Sequence, residues 1–238
     1  MIAVTVVTPS YRHLEKEAVK RFKKNSGLPV HVIRCKDKDG FMKKLELDKE
    51  CGRQRIVFFD VDFWLLRKVD FAKWDAFTIF AVHDSAVFNP HAFPHTDCQN
   101  LGLEKLRYFN SGFMVVNLAL QSHRKVFAEA RKLRKRVVSG KLANPTDVTD
   151  QFYLNKAAQD VGAPLHLVPL KFNYYHKAAQ WAQIPFIPRD VVGLHAAGEK
   201  IEDKLHALKI QSGVFGCEIC AIHPEASQWA TSRIFEMA

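Results

Sequence analysis

The chain has 238 residues, 47% of them hydrophobic, enough to bury a sizeable core and within the upper range for one α/β domain, here expected over 1–238. Thirty-five Lys and Arg against 25 Asp and Glu give a formal net charge of +10, which suits an anionic partner without choosing among nucleic acid, an anionic membrane surface and a phosphorylated substrate. No apolar run approaches the roughly eighteen residues of a membrane span, the start lacks a signal peptide's basic n-region, and five irregularly spaced cysteines argue against a disulfide framework, so a cytoplasmic protein is expected.

Ala3 to Thr8 is β-branched and apolar and reads as a first, central strand; Pro9 stops it and Ser10 can cap a helix from about Tyr11 to Asn25, ending near Gly27. Val30 to Cys35 is a second strand, Lys36 to Gly40 a polar loop, and Phe41 to about Glu50 a helix that Gly52 breaks. Arg55 to Phe59 is a buried strand running into Asp60-Val61-Asp62. This β-α-β-α-β order predicts a Rossmann-like, mostly parallel central sheet flanked by helices.

Ala76 to Val82 is another buried strand, ending on His83-Asp84, and 85–107 is a long loop without a period of its own. Tyr108 to Leu118 contains an Asn110-Ser111-Gly112 turn leading into an apolar strand, so backbone there can approach a ligand closely. The helix from Ser122 to Val138 is strongly basic. It reads first as a solvated face over an ordinary apolar stripe, with a peripheral membrane or polyanion contact as the second reading. Thr146 to Asn155 opens a further helix, Leu165 to Leu170 is a short strand, and Phe172 to His176 is aromatic and polar, either a ligand wall or a pad under a loop. Val191 to His195 is a final buried strand, and Pro224 to Ala238 a packing helix.

Separate strands thus end in Asp60 and Asp62, in His83 and Asp84, and in His195. Strand ends line one edge of a parallel α/β sheet, where ligands bind, so two aspartates and a histidine from remote positions can assemble a site for a hard divalent cation, Mn²⁺ or Mg²⁺. At this point the chain resembles the family-8 glycosyltransferases of GT-A fold, the group of glycogenin and the bacterial lipopolysaccharide galactosyltransferases. Asp60-Val61-Asp62 is similar to the family's Asp-x-Asp, and Lys44-Leu45, sixteen residues before Asp60, falls where the family has a donor-contacting Lys-Leu. Phe109 to Leu118 is close to its FNSGVMVINL, Asp150-Gln151-Phe152-Tyr153-Leu154-Asn155 matches its DQxxLN, and His195 to Lys200 resembles its HxxGxxK. That last motif is one residue short between Gly198 and Lys200 and lacks the Pro-Trp that usually follows, so either the loop is rebuilt or Lys204 takes over the phosphate contact.

The resemblance implies transfer of a hexose from a nucleotide-diphosphate sugar, a UDP-sugar first, with retention, to a sugar, lipid or protein acceptor. By the same resemblance Asp60, Asp62 and His195 would bind the metal. Thr8 and Tyr11 would hold the nucleobase, and Lys44 the phosphate or sugar. Val61, Asp84, Asn110 and Ser111 would contact the donor, Gly198 and Lys200 its diphosphate, and Asp150 or Gln151 would stabilise the reacting centre.

One rival is a haloacid-dehalogenase-like phosphatase, whose nucleophile also sits in a hydrophobic-strand Asp-x-Asp. That pattern has Thr or Val where this chain has Trp64, and no later acidic pair follows an apolar run. A nucleic-acid partner is not expected, because carboxylates at the strand ends repel phosphate unless metal-loaded. A zinc site at Cys217, Cys220 and His223 lacks an evident fourth ligand.

Overall fold

The computed structural model describes residues 1–142, 145, 149–175, 191–197 and 200–216. β1 (Ile2–Val7) is buried on both faces, as its unbroken apolar run requires of a strand inside a covered sheet. The helix α1 (Arg12–Ser26) buries Leu14, Ala18 and Phe22, four residues apart, and stops at Gly27, whose φ of 69° is the left-handed conformation that glycine adopts without a Cβ clash. Ser10 does not cap it. Pro9–Tyr11 forms a tight turn first, and the Ser10 N–H donates to Asp37 Oδ1 at 3.0 Å across the loop.

After β2 (Val30–Arg34), the single helix expected over Phe41 to Glu50 is instead two short ones, α2 (Gly40–Lys43) and α3 (Leu47–Glu50), joined by a tighter turn at Lys44–Glu46. At this change of winding the adjacent residues Lys44 and Leu45 are both buried, an arrangement that one amphipathic helix with a single apolar face does not supply. β3 (Arg55–Phe59) follows, then the short β4 (Phe63–Leu65) and β5 (Ile79–His83). The segment 85–107 contains a helix, α4 (Phe93–Leu101), where no period was expected. Pro94 sits in its first turn, but its described interior contacts are only Asp97 and Cys98, too few to write an apolar stripe.

β6 (Phe109–Asn117), the basic helix α5 (Gln121–Val138), α6 (Asp150–Asp160) and β7 (Leu165–Val168) complete the main layer. The six-stranded sheet has the order β2-β1-β3-β6-β5-β7, with β6 antiparallel to both neighbours and the other pairings parallel. The mostly parallel sheet is therefore as expected.

β8 (Gly193–His195) does not join that sheet. It pairs antiparallel with β4 in a separate two-stranded ribbon, and α7 (Lys204–Gly216) follows. This corrects the expectation that His195 ends a strand of the central sheet. Gly193 lets the ribbon close, since a Cβ there would stand 2.3 Å from Phe63 Cζ and 2.4 Å from the Phe172 carbonyl. Beneath β4, Phe22 stacks on Phe59 with centroids 4.0 Å apart and Phe63 on Phe113 at 5.4 Å, so the turn between β3 and β4 rests on a packed aromatic floor.

Candidate active site

The turn after β3 is fixed by backbone bonds. The Asp60 N–H donates to Gly112 O at 2.8 Å, and the Phe63 N–H donates to Asp60 O at 2.9 Å. Ribbon register then sets Phe63 opposite His195, and the Ala196 N–H donates to Asp62 O at 3.0 Å. As a result His195 Nε2 lies 3.3 Å from Asp62 Oδ1 and 3.7 Å from Asp60 Oδ2, and one ligand atom from each of the three residues falls within 4.8 Å of the others. Two carboxylates and an imidazole at this spacing are a donor set that fits Mn²⁺ or a similar hard-to-borderline divalent ion.

Two buried lysines complete the electrostatics. Lys44 Nζ lies 2.8 and 3.0 Å from the two Asp60 oxygens and 3.2 Å from Asp150 Oδ2, the last contact lacking a hydrogen bond's alignment. Burial opposes its charge, but Asp150 and Asp60 outweigh burial and hold the ammonium protonated far above neutrality. Lys204 Nζ lies 2.7 Å from Asp62 Oδ2. Burial likewise works against an ionised Asp62, yet His195 and Lys204 overcome it and keep that carboxyl well below the usual range. Asp60 goes the other way: enclosure raises its pKa, Lys44 only partly offsets this, and Asp62 beside it adds to the rise.

A second constellation adjoins the first. Asp84 is 3% exposed and accepts from Ala86 N at 3.0 Å, Gln151 Nε2 at 2.8 Å, Asn110 Nδ2 at 3.4 Å and the Tyr175 hydroxyl. Gln151 Oε1 accepts from the Ser111 N–H at 3.1 Å, and Asn110 Oδ1 accepts from Gly112 N and from Asn173 Nδ2. These groups reach the sheet's end because the β5–β6 register shifts: Ala81 faces Met114 but Val82 faces Asn110, which leaves Ser111 to Phe113 without partners on β5. Lys44 joins the two constellations, since Asp150 precedes Gln151 at the start of α6.

Asn155, at the far end of the DQxxLN motif, docks α6 on β6 by taking both backbone groups of Phe109: its Oδ1 accepts from the N–H at 2.8 Å and its Nδ2 donates to the carbonyl at 2.8 Å. Asn155→Ala leaves a buried donor and a buried acceptor unpaired and is expected to cost about 3 kcal/mol, read as a lower urea midpoint at unchanged slope. A loss under about 1 kcal/mol would show that water satisfies Phe109.

Thr8, Tyr11, Lys44, Asp60, Val61 and Asp62 line one cleft of about 230 Å³, with Asp37, beside Thr8 and Ser10, and Phe41 also in its lining. Asp37 was missed in the sequence because it lies in a run of alternating charges; hydrogen bonds from the Thr8 hydroxyl and then from Ser10 lower its pKa. Tyr175, from the aromatic stretch, is buried with its hydroxyl on Asp84. Lys200 is exposed, and its carbonyl begins the turn that carries Lys204 inward, so Lys204 is the lysine that reaches the carboxylates. Gly198, His176, the zinc candidates Cys217, Cys220 and His223, and the expected helix from Pro224 to Ala238 lie outside the described residues.

No family model matches the chain, and no curated protein matches it in sequence. Solved structures do. An active-site mutant of LgtC aligns over 88% of this chain and 95% of its own with a TM-score of 0.61 at 14% identity. The galactosyltransferase LgtC in complex with donor and acceptor sugar analogues aligns over 90% and 95% with a TM-score of 0.58 at 14% identity. The glycosyltransferase GlyE of Streptococcus pneumoniae aligns over 83% of this chain and 55% of its own, with a TM-score of 0.58 at 15% identity. The phosphatase alternative finds no counterpart in these matches. On this likeness and on its sheet order, the chain has the GT-A glycosyltransferase fold.

Proposed function

We propose that the chain is a retaining hexosyltransferase that takes its sugar from a nucleotide-diphosphate donor, a UDP-sugar first. The observation that carries this reading is the meeting of Asp60, Asp62 and His195 with the Asp84–Gln151–Asn110 network across Lys44, at the end of a GT-A sheet. The complexed LgtC structure, with both donor and acceptor analogues, supports a sugar donor and a sugar acceptor, while a lipid or protein acceptor remains an expectation of the resemblance.

In this reading Asp60, Asp62 and His195 would hold Mn²⁺ or Mg²⁺, which when bound supplies positive charge against the leaving diphosphate. The chain's own residues do the rest. Thr8 and Tyr11 wall the nucleobase end of the cleft, and Val61 packs beneath it. Lys204, 2.7 Å from Asp62, would bring a second cation to the diphosphate, the role first expected of Lys200 with Gly198. Asp84, Asn110 and Ser111 would frame the sugar; Asp84 and the Ser111 N–H fix the two ends of the Gln151 amide, and Asn110 steadies Asp84. Asp150 and Gln151 then face the reacting carbon; Asp150 Oδ2, without a hydrogen-bond partner among the described residues, keeps acceptor capacity for it.

The test is a panel of nucleotide sugars incubated with Mn²⁺ and assayed for slow donor hydrolysis. Nucleotide release from one donor, abolished by chelator, is expected. No release from any donor, with or without metal, overturns the proposal, and so does appreciable turnover of a generic phosphomonoester.

A further inference from the structure

On the reverse side of the Lys44 segment is a second cavity, of about 600 Å³, between α5 and the turn joining α2 to α3. Its floor is apolar, from Met42, Leu45 and Ala128, and Val138 stands at its edge 77% exposed. Its lining carries Lys49, Arg131, Lys132, Arg134 and Lys135 against Glu46 alone. Glu46 is already engaged by Lys43 at 3.0 Å. Arg131 is spent on structure, donating to both oxygens of Asp48 and to the Leu45 carbonyl, and Lys132 pairs with Glu129 at 3.1 Å. Lys49, Arg134 and Lys135 form no ion pair among the described residues. These three cations therefore border an apolar trough with no carboxylate in ion-pair contact among the described residues, Glu46 acting on Lys49 only through space.

We propose that this groove seats the phosphate headgroups of an anionic phospholipid surface, docking the protein on a membrane through the C-terminal half of α5. Charge complementarity selects the partner's sign: each lysine or arginine held near such a surface contributes about 1 kcal/mol. The apolar floor and the exposed Val138 select lipid over a free polyanion, because a soluble phosphate has no apolar part to lay against them. Arg131 braces the groove through a bidentate carboxylate pair, so the cations extend from a fixed wall. No helix among the described residues is long and apolar enough to cross a membrane, and the contact proposed here lies on its surface. It is independent of the transferase chemistry, since none of the three free cations lines the cleft of Asp60 and Asp62.

The full chain is sedimented with vesicles of phosphatidylglycerol and phosphatidylcholine, and with phosphatidylcholine alone. Pelleting with the anionic vesicles only is expected, weakened at least tenfold in Arg134→Glu/Lys135→Glu. It should persist in Lys20→Glu/Lys24→Glu, which makes the same charge change on exposed positions of α1. Should the first variant lose its folded far-UV spectrum, Arg134→Gln/Lys135→Gln replaces it, with the same loss expected. Four results each overturn the proposal: no pelleting, equal weakening in both double variants, calorimetric binding of inorganic pyrophosphate without pelleting, or tight binding of a nucleic-acid oligomer in place of vesicles.

Discussion

Asp62→Asn is expected to weaken Mn²⁺ binding at least ~10-fold and to slow donor cleavage by about a thousandfold, several kcal/mol of transition-state stabilisation. The variant keeps the shape of the side chain and removes its charge. Asp62 is the residue on which the site converges, with His195 Nε2 3.3 Å from one oxygen and Lys204 Nζ 2.7 Å from the other. Removing that charge also leaves the buried Lys204 uncompensated, and an ammonium stranded in this way costs about 3–5 kcal/mol of stability. Loss of fold and loss of metal could therefore be confused. Adding Lys204→Met separates them: the double variant should recover most of the lost stability while Mn²⁺ binding, followed by the decline of the free ion's electron paramagnetic signal, stays weak. If Asp62→Asn binds Mn²⁺ like the parent chain, the three-residue metal site is wrong.

That site was legible in the sequence at its carboxylates and less so at its partners, for physical reasons. Arg55 to Phe59 and Phe109 to Asn117 are central strands covered on both faces, and the apolar runs Ile56 to Phe59 and Phe113 to Val116 are what each writes in the sequence. Asp60 and Asp62 could be placed from the end of the first run, whereas Asn110-Ser111-Gly112, expected as a turn before the second, lies inside β6, where the register shift against β5 and not a turn frees its backbone. Lys44 could not, because a helix that changes winding at 44 buries two neighbours, and a period count over Phe41 to Glu50 sees one amphipathic helix. His195 was expected at the edge of the large sheet. It arrives from a three-residue ribbon whose pairing with Phe63 to Leu65 is a non-local fact, invisible to any window of sequence. That Lys204 and not Lys200 reaches Asp62 turned on whether the chain winds inward after Lys200, which depends on backbone bonds from Asp203 and Lys204 to the Lys200 carbonyl and not on side-chain pattern.

Gly112→Ala is the other large effect, and it tests the same geometry from the opposite side. The requirement at Gly112 is space. An ideal Cβ there would stand 2.2 Å from His195 Cε1, 2.8 Å from its Nδ1 and 2.9 Å from Asn110 Oδ1, all inside the separation real Cβ atoms keep. The His195 backbone cannot back away, because β8 is hydrogen-bonded to β4 on one side and the His195 N–H donates to Tyr174 O at 2.8 Å on the other, and its ring is buried, which leaves it little room to turn. One methyl group should therefore push His195 off the line to Asp62 and cost about 1–3 kcal/mol in stability through overpacking. Mn²⁺ affinity should fall together with it. The cycle with His195→Ala makes the cause explicit: with the ring removed the two contacts to the histidine disappear and only the 2.9 Å approach to Asn110 Oδ1 remains, so the stability cost of Gly112→Ala should fall to about 1 kcal/mol or less, while metal binding stays lost because a ligand is gone. A full stability penalty in the His195→Ala background would mean that the methyl clashes with Asn110 and the strand, and that Gly112 serves the sugar network and not the metal. The family-like Asn-Ser-Gly stretch would then owe its glycine to a different neighbour, and the coupling between the two halves of the site would rest on Lys44 alone.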